Sequence, residues 1–363
     1  MKAKTKQNIK TGFRSLISND AVMETAKNTH WWTAVIVGIV AAFLPIIPIT
    51  VSASQQYGAS FLSGYTQNME TYLTKAAMDL NAAGVDFVVA DSRLEYRRDN
   101  DVVQLTNEDG YDLVYEYVSD RDGIQQIEFQ VYYTWLSDSK KETKNIYTLI
   151  ADVIENADNT YVVGTKNPKD IENDSEETEY YLPSYILLSK YGIHARIMKP
   201  DSTEAFATPT SFGDWKHTKE GTKLIEDSLI VKDKKDNPIP QLLEDSNYTQ
   251  GVLNNWKQYF NESFITMRDS NVMSSTLVYY GVYLLMILFM GLMLFLLTRG
   301  KRNIFNYLKF GICLKMSAWS TITPAILGLI LGFALPGLVM YYFIVLFGIR
   351  VMWMSMKQLR PQY

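Results

Sequence analysis

The stretch Leu277–Leu297 reads LVYYGVYLLMILFMGLMLFLL and contains no charged residue. About 20 apolar residues, each adding a rise of about 1.5 Å, cross the roughly 30 Å hydrocarbon layer of a bilayer. The stretch is followed by Arg299, Lys301 and Arg302, and basic residues at the end of a span favour the cytoplasmic side. We therefore predict an integral membrane protein with a span at residues 274–298 and these three residues as topology determinants.

A second uncharged stretch lies near the N-terminus, at residues 31–53, and begins with two tryptophans. Tryptophan is enriched where a span meets the membrane surface, so the stretch predicts the first span. Pro45 and Pro48 are expected to kink its outer half. A cleaved signal peptide is the alternative, but the apolar run is longer than the core of about 7–15 residues that signal peptides have.

Residues 1–30 form a basic leader, which we predict to be cytoplasmic. Phe13, Leu16 and Ile17 give this leader a narrow apolar stripe. A short helix lying on the inner leaflet is therefore an alternative to a simple topology signal.

An uncharged run of 34 residues ends at Ile349, and this length exceeds one span. We predict a third span at residues 304–333 and a fourth at residues 337–356, joined by a turn around Pro336. Pro324 interrupts the third span and makes a re-entrant hairpin the alternative.

A pair of glycines in this block, Gly328 and Gly332, forms a small-xxx-small pattern. Such a pattern lets two membrane helices approach closely. We predict that these two glycines are helix-packing positions within the bundle, with a dimer interface as the alternative.

The charges are divided unevenly along the chain. Residues 54–273 hold 37 of the 39 acidic residues but only 21 of the 35 basic ones, a local charge of −16, whereas the rest of the chain holds 14 basic and 2 acidic residues. Basic flanks stay inside while long loops translocate regardless of their charge. We expect a plasma-membrane protein with both termini cytoplasmic, residues 54–273 extracellular, and Lys357 and Arg360 as topology determinants in a cytoplasmic tail at 357–363.

The sequence of residues 54–273 predicts a domain on two stalks. Helical spacing of apolar residues predicts stalk helices at 54–83 and 241–273, each continuous with a span, and β-branched and aromatic runs between them predict an α+β domain at 84–240. The expected fold is thus a membrane protein with four transmembrane helices and an extracellular α+β domain on two helical stalks.

The second stalk carries Trp256, Tyr259 and Phe260, which are a candidate surface for a protein partner as an alternative to packing on the other stalk. The strands are predicted at Asp86–Ala90, Val102–Thr106, Tyr111–Val118, Ile124–Trp135, Tyr161–Gly164, Tyr185–Ser189 and Ile193–Met198, and the helices at Lys141–Asn156 and Thr218–Ile230.

The residue types that most often form catalytic or metal-binding sites are far apart in the sequence. The three histidines, His30, His194 and His217, are far apart in sequence, and Cys313 is the only cysteine. Neither zinc spacing nor a histidine-based catalytic triad is supported, and no glycine-rich phosphate loop is present. We predict no catalytic residue, metal, cofactor or nucleic-acid partner.

The layout resembles a family of multi-span firmicute membrane proteins that includes the maltodextrin-utilisation proteins. The resemblance lies in the order of basic leader, single span, outer domain and multi-span block, and in the local sequences Ser184–Ile193 and Phe310–Pro324. Members of this family are encoded with sugar ABC permeases, so the resemblance implies a role beside carbohydrate transport in a bacterial cell membrane.

Two functions remain open at this stage. The first is a non-enzymatic accessory or scaffold subunit that binds a membrane partner such as a carbohydrate ABC transporter. The second is an extracytoplasmic ligand-binding sensor that acts through a partner. The oligomeric state is left open.

Overall fold

The computed structural model of the chain describes residues 11–59, 62, 69–104, 110–121, 124–136, 183–198, 205–211, 213–299, 303–357 and 359. The contacts divide the chain into two compact units. The first, Met1–Gln55 together with Ser270–Tyr363, is called the membrane unit, and the second, Gln56–Asp269, is called the sheet unit. The predicted helix at Lys141–Asn156 and the predicted strand at Tyr161–Gly164 lie outside the described residues.

The secondary structure of the described residues follows the chain in this order. The helices are α1 Asn19–Asn28, α2 Trp31–Phe43, α3 Ile46–Ser54, α4 Met69–Ala82, α5 Leu224–Ser228, α6 Ser246–Leu297, α7 Phe310–Ser320, α8 Ile322–Ala334 and α9 Val339–Lys357, with a 3-10 turn at Pro336–Leu338. The strands are β1 Val85–Ala90, β2 Arg93–Arg98, β3 Asp101–Val102, β4 Tyr111–Arg121, β5 Ile124–Thr134, β6 Ser184–Ser189, β7 Gly192–Met198 and β8 Ala205–Ser211.

Four helical stretches of the described chain are long and apolar enough to cross a membrane: Trp31–Ser54, Ser246–Leu297, Phe310–Ala334 and Pro336–Lys357. The first is interrupted where the sequence predicts a kink, because α2 ends at Phe43 and α3 begins after Pro45. Together with the strands, these helices give a membrane-type helical unit and a sheet-containing unit.

The third span begins later than predicted. Residues 304–307 form turns and helix α7 starts only at Phe310, so the predicted start at 304 is wrong. The guanidinium of Arg299 donates to the carbonyl oxygens of Asn306 and Leu308 at 3.2 and 2.9 Å. These bonds stabilise the loop, because they occupy carbonyl groups there.

The first predicted stalk is also wrong as a continuous helix. Helix α3 ends at Ser54, residues 55–59 are not helical, and α4 begins at Met69. Gly58 lies so close to α6 that a Cβ atom on it would be 2.5 Å from Cβ of Phe264. The second stalk differs, because α6 runs without a break from Ser246 through the apolar stretch to Leu297.

The described strands of the sheet unit form two sheets. Strands β1, β2 and β3 form an antiparallel sheet in that order, and strands β4 to β8 form a second sheet in sequence order. Within the second sheet only β5 and β6 run parallel. Strands β4 and β5, which the sequence predicts as two strands, form a hairpin and pair up to Arg121 and Ile124 at the turn.

The core of the sheet unit takes up alternate residues of β5. Phe129, Val131 and Tyr133 point from β5 into one hydrophobic cluster with residues of α4, α5 and α6. Asp86 closes the short helix α5, because its carboxylate accepts hydrogen bonds from the backbone N–H groups of Ile225 and Glu226 at 2.9 and 3.1 Å. A first helical turn has free N–H groups, and a side-chain oxygen from another element satisfies them as an N-cap residue would.

Candidate functional site

The predicted partner surface on the second stalk is not exposed. Trp256, Tyr259 and Phe260 are 1%, 6% and 0% exposed and belong to the core of the sheet unit. The sequence pattern correctly marks an apolar face of a helix, but that face packs on the unit's own strands and helices. These three residues therefore offer no docking surface in the folded chain, and the prediction is corrected.

The second face of the five-stranded sheet carries buried polar groups. The hydroxyl of Tyr132 donates to Oε1 of Gln130 at 2.9 Å, and Nε2 of Gln130 donates to Glu116 at 2.9 Å. Burial raises the pKa of Tyr132, so the hydroxyl stays protonated and acts as a donor. The chain of bonds fixes the side chains of two neighbouring strands in one arrangement.

His194 lies on the same face and is 2% exposed. It stands opposite Leu187 of β6, and the pair Tyr185 and Arg196 follows two residues along. Burial lowers the pKa of His194 to about 4, since the charged form loses its hydration there. The imidazole is therefore neutral at physiological pH. The sequence does not indicate that His194 is buried and neutral, because a single histidine in a strand has no characteristic local pattern.

The glycine pair lies against two prolines inside the membrane unit. A Cβ atom on Gly328 would be 3.2 Å from Cβ of Pro45, and one on Gly332 would be 2.8 Å from Cγ of Pro48. The glycines thus let α8 approach α3 and the turn before it more closely than a larger residue would permit.

An apolar groove runs along the outside of the membrane unit between α2, α6 and α7. Its cavity volume is about 230 Å³. Its floor consists of the buried small residues Ala34, Gly38 and Ala318. Lys315 reaches its edge, and its ammonium donates to the carbonyl oxygen of Thr29 at 2.7 Å. The remaining lining residues are Trp31, Val35, Ile39, Leu284, Ile287, Leu288 and Leu314.

Arg350 is half-buried within α9, although its basic character suggests the cytoplasmic edge of the last span. Its guanidinium donates to the carbonyl oxygen of Ser320 at 3.2 Å and to Oγ1 of Thr323 at 2.5 Å. It also donates to the carbonyl oxygen of Ser15 and to Oδ1 of Asn19. One side chain thereby joins α9, the junction of α7 and α8, and the segment before α1.

The bond to Ser320 has a cause in the sequence. In a regular helix the N–H of residue 324 would bond the carbonyl of Ser320, but Pro324 has no N–H. A carbonyl without a partner is costly in an apolar environment. Arg350 supplies the missing donor, and Pro324 is the signal from which this role could have been read.

The remaining topology residues are only partly described. Arg299 is placed by its bonds to the loop after α6, with its guanidinium 4.1 Å from the ring centroid of Phe295. Lys357 is exposed at the end of α9. Lys301, Arg302 and Arg360 lie outside the described residues.

Within the described part of the chain, no three histidine, cysteine, aspartate or glutamate side chains gather as a metal site would need. Comparisons of the whole chain with protein-family models, curated proteins and solved structures find no match.

Proposed function

We propose that the chain is a non-enzymatic accessory protein of the cell membrane, which binds a transmembrane helix of a partner protein in the groove between α2, α6 and α7. The groove is the observation that carries the proposal. Following the sequence resemblance, the partner class is a carbohydrate ABC permease.

The chemistry of the groove suits a helix better than a polar ligand. In a bilayer, lipid tails are as apolar as leucine, so helices associate by close packing where small residues let the backbones approach. Ala34, Gly38 and Ala318 are themselves buried, and they let α2 and α7 of the same chain pack closely. The surfaces left for a partner helix are the exposed groove walls Trp31, Ile39 and Leu288. The ammonium of Lys315 donates to the carbonyl oxygen of Thr29 at the edge of the groove, so it is held there and its charge lies outside the apolar lining.

The proposed orientation places both termini in the cytoplasm and residues 54–273 outside. The support is the excess of acidic residues in 54–273 and the excess of basic residues elsewhere. The sheet unit would then be available to extracellular proteins or glycans.

The test is purification of the tagged chain from its native membrane in a mild detergent, with the co-purifying proteins identified by mass spectrometry. Ile39→Trp and Leu288→Trp should each remove a stoichiometric membrane partner, because a large ring fills the groove. Ile36→Trp and Leu285→Trp are matched controls, since these residues are 60% and 65% exposed on the same helices but do not line the groove. Recovery of the chain alone, or equal loss in all four variants, would contradict the proposal.

One observation favours a second candidate, an extracytoplasmic sensor. Helix α6 is a single helix of 52 residues, and it contributes Trp256 to the core of the sheet unit and Tyr283 to the core of the membrane unit. A ligand that shifted the packing of the sheet unit would therefore act on an element that continues into the membrane. A rise in the melting temperature of the full chain with one extracellular solute, without any partner, would favour this candidate.

A further inference from the structure

A cavity in the membrane unit lies beside Arg350. It has a volume of about 540 Å³ and is lined by residues 16–18 before α1, the start of α1, the start of α8 and the second half of α9. This volume falls in the range of about 300–1,000 Å³ that ligand sites occupy. Nothing in the proposed helix-binding groove overlaps it, because the two have no lining residue in common.

The positive charge of Arg350 is not matched by the groups it bonds. A guanidinium has five N–H donors. Four acceptors are in place, namely two backbone carbonyls, the hydroxyl of Thr323 and the amide oxygen of Asn19, and all four are uncharged. One donor and the full charge therefore remain for another group.

A second cation lines the same cavity. Lys357 is exposed at its end, seven residues after Arg350 on the same helix. Asp20 is also a lining residue, yet among the described residues neither cation forms an ion pair with it, and its side chain is exposed. The cavity thus combines two cations with one carboxylate, a net positive charge.

The other walls are apolar. Leu327 and Leu346 line the cavity, and Trp353, whose side chain is 59% exposed, stands between Arg350 and Lys357 along α9. Tryptophan and snorkelling lysine are typical of the level where acyl chains meet head groups. A site with cations on one side and apolar walls on the other is complementary to a molecule that has both an anionic and an apolar part.

We propose that this cavity binds the phosphodiester head group of an anionic phospholipid, with Arg350 and Lys357 contacting the phosphate and the apolar walls contacting the acyl chains. Arg350 contributes its remaining N–H and its charge, and Lys357 contributes an exposed ammonium. A free phosphate ion shares the anionic chemistry but would leave the apolar walls unused. The inference is independent of the partner proposed above, since it concerns other residues.

The experiment uses the full chain, purified and delipidated in detergent, with lipid binding measured by native mass spectrometry. Phosphatidylglycerol should bind at least about fivefold more tightly than phosphatidylcholine, since each basic residue near an anionic lipid contributes about 1 kcal/mol. Excess inorganic phosphate should not displace it. Lys357→Gln should weaken phosphatidylglycerol binding about fivefold, and Asp20→Asn should strengthen it by removing a repelling charge.

The control is Lys309→Gln, which removes an exposed lysine that does not line the cavity. It should leave the affinity within about twofold of the parent, because Lys309 does not line the cavity and salt weakens the attraction between separated exposed charges. Three results would each overturn the proposal: equal binding of the two lipids, equal weakening by Lys309→Gln and Lys357→Gln, or weaker binding in Asp20→Asn. Displacement of the lipid by inorganic phosphate would instead identify the cavity as a phosphate site and overturn the lipid assignment.

Discussion

At the scale of single residues, His194 links the stability of the sheet unit to pH. Its pKa is about 4 in the folded chain because of burial, compared with about 6.5 in an unfolded one. The unfolded state therefore binds more protons between these two values, and stability is lost as the pH falls from 6.5 towards 4. We expect a loss of about 2 kcal/mol between pH 7 and pH 5 from this residue.

The measurement is hydrogen exchange of the amides of β6 and β7, corrected for the intrinsic pH dependence of exchange. His194→Leu should flatten the pH dependence, because the titrating group is gone and Leu187 already provides an apolar neighbour. His217→Gln is the control for replacement of another histidine of the sheet unit, at an exposed position. A pH dependence that persists in His194→Leu would assign the effect to other groups.

At the scale of elements, Pro324 and Arg350 form a coupled pair. The proline removes the helical N–H that would bond the carbonyl of Ser320, and Arg350 bonds that carbonyl instead. Pro324→Ala would restore the helical donor. We therefore expect Arg350→Met to cost about 1 kcal/mol less in the Pro324→Ala background than in the parent chain, the value of one hydrogen bond.

A double-mutant cycle measured by SDS-induced unfolding tests this coupling. The prediction concerns the coupling energy and not the effect of either single substitution. Arg350→Met alone also removes a charge from the membrane, which by itself favours stability. Pro336→Ala is the control, since Pro336 lies beyond the opposite end of α8 in the 3-10 turn and should be additive with Arg350→Met. Additivity of Pro324→Ala and Arg350→Met would contradict the role assigned to Arg350.

A comparison of the predicted and observed elements shows which sequence patterns are sufficient to locate a strand or a helix. The strands at β1, β4, β5, β6 and β7 were predicted because their β-branched and aromatic residues alternate or form apolar runs. Strand β2 was missed because four of its six residues are charged, and only Leu94 and Tyr96 point inward. The helix predicted at Thr218–Ile230 is confined to Leu224–Ser228. Its first turn is capped by Asp86 of β1, a contact between distant parts of the sequence that local spacing does not reveal.

For the candidate sites too, the sequence predicts local properties but not contacts between distant residues. The four spans follow from uninterrupted apolar length, which is a local property of the sequence. The groove floor and the cavity depend on which helices become neighbours, so Gly38 and Ala318, 280 positions apart, cannot be paired from spacing alone. The misassigned surface at Trp256 shows the converse, since helical periodicity identifies an apolar face without saying whether it is buried in the same chain.

At the scale of the whole molecule, the charge division makes the orientation testable with single cysteines. Cys313 is the only cysteine and is buried, so Cys313→Ser gives a background without reactive thiols. Lys234 is exposed in the sheet unit and Ile304 is exposed in the loop between α6 and α7. If the basic flanks remain inside, a membrane-impermeant maleimide added to intact cells should label Lys234→Cys and leave Ile304→Cys unlabelled.

Permeabilised cells provide the control for this prediction, because both cysteines are then accessible and both should react to a similar extent. Labelling of Ile304→Cys in intact cells would contradict the predicted orientation. It would mean that the loop between α6 and α7 is extracellular and that the sheet unit is cytoplasmic. Such an inversion would also move the lipid cavity to the outer leaflet, because Lys357 lies at the same end of the last span as the C-terminal tail. Labelling of Lys234→Cys alone would instead place Arg350 and Lys357 towards the cytoplasmic leaflet, whose anionic lipids are the ligands that their charges favour.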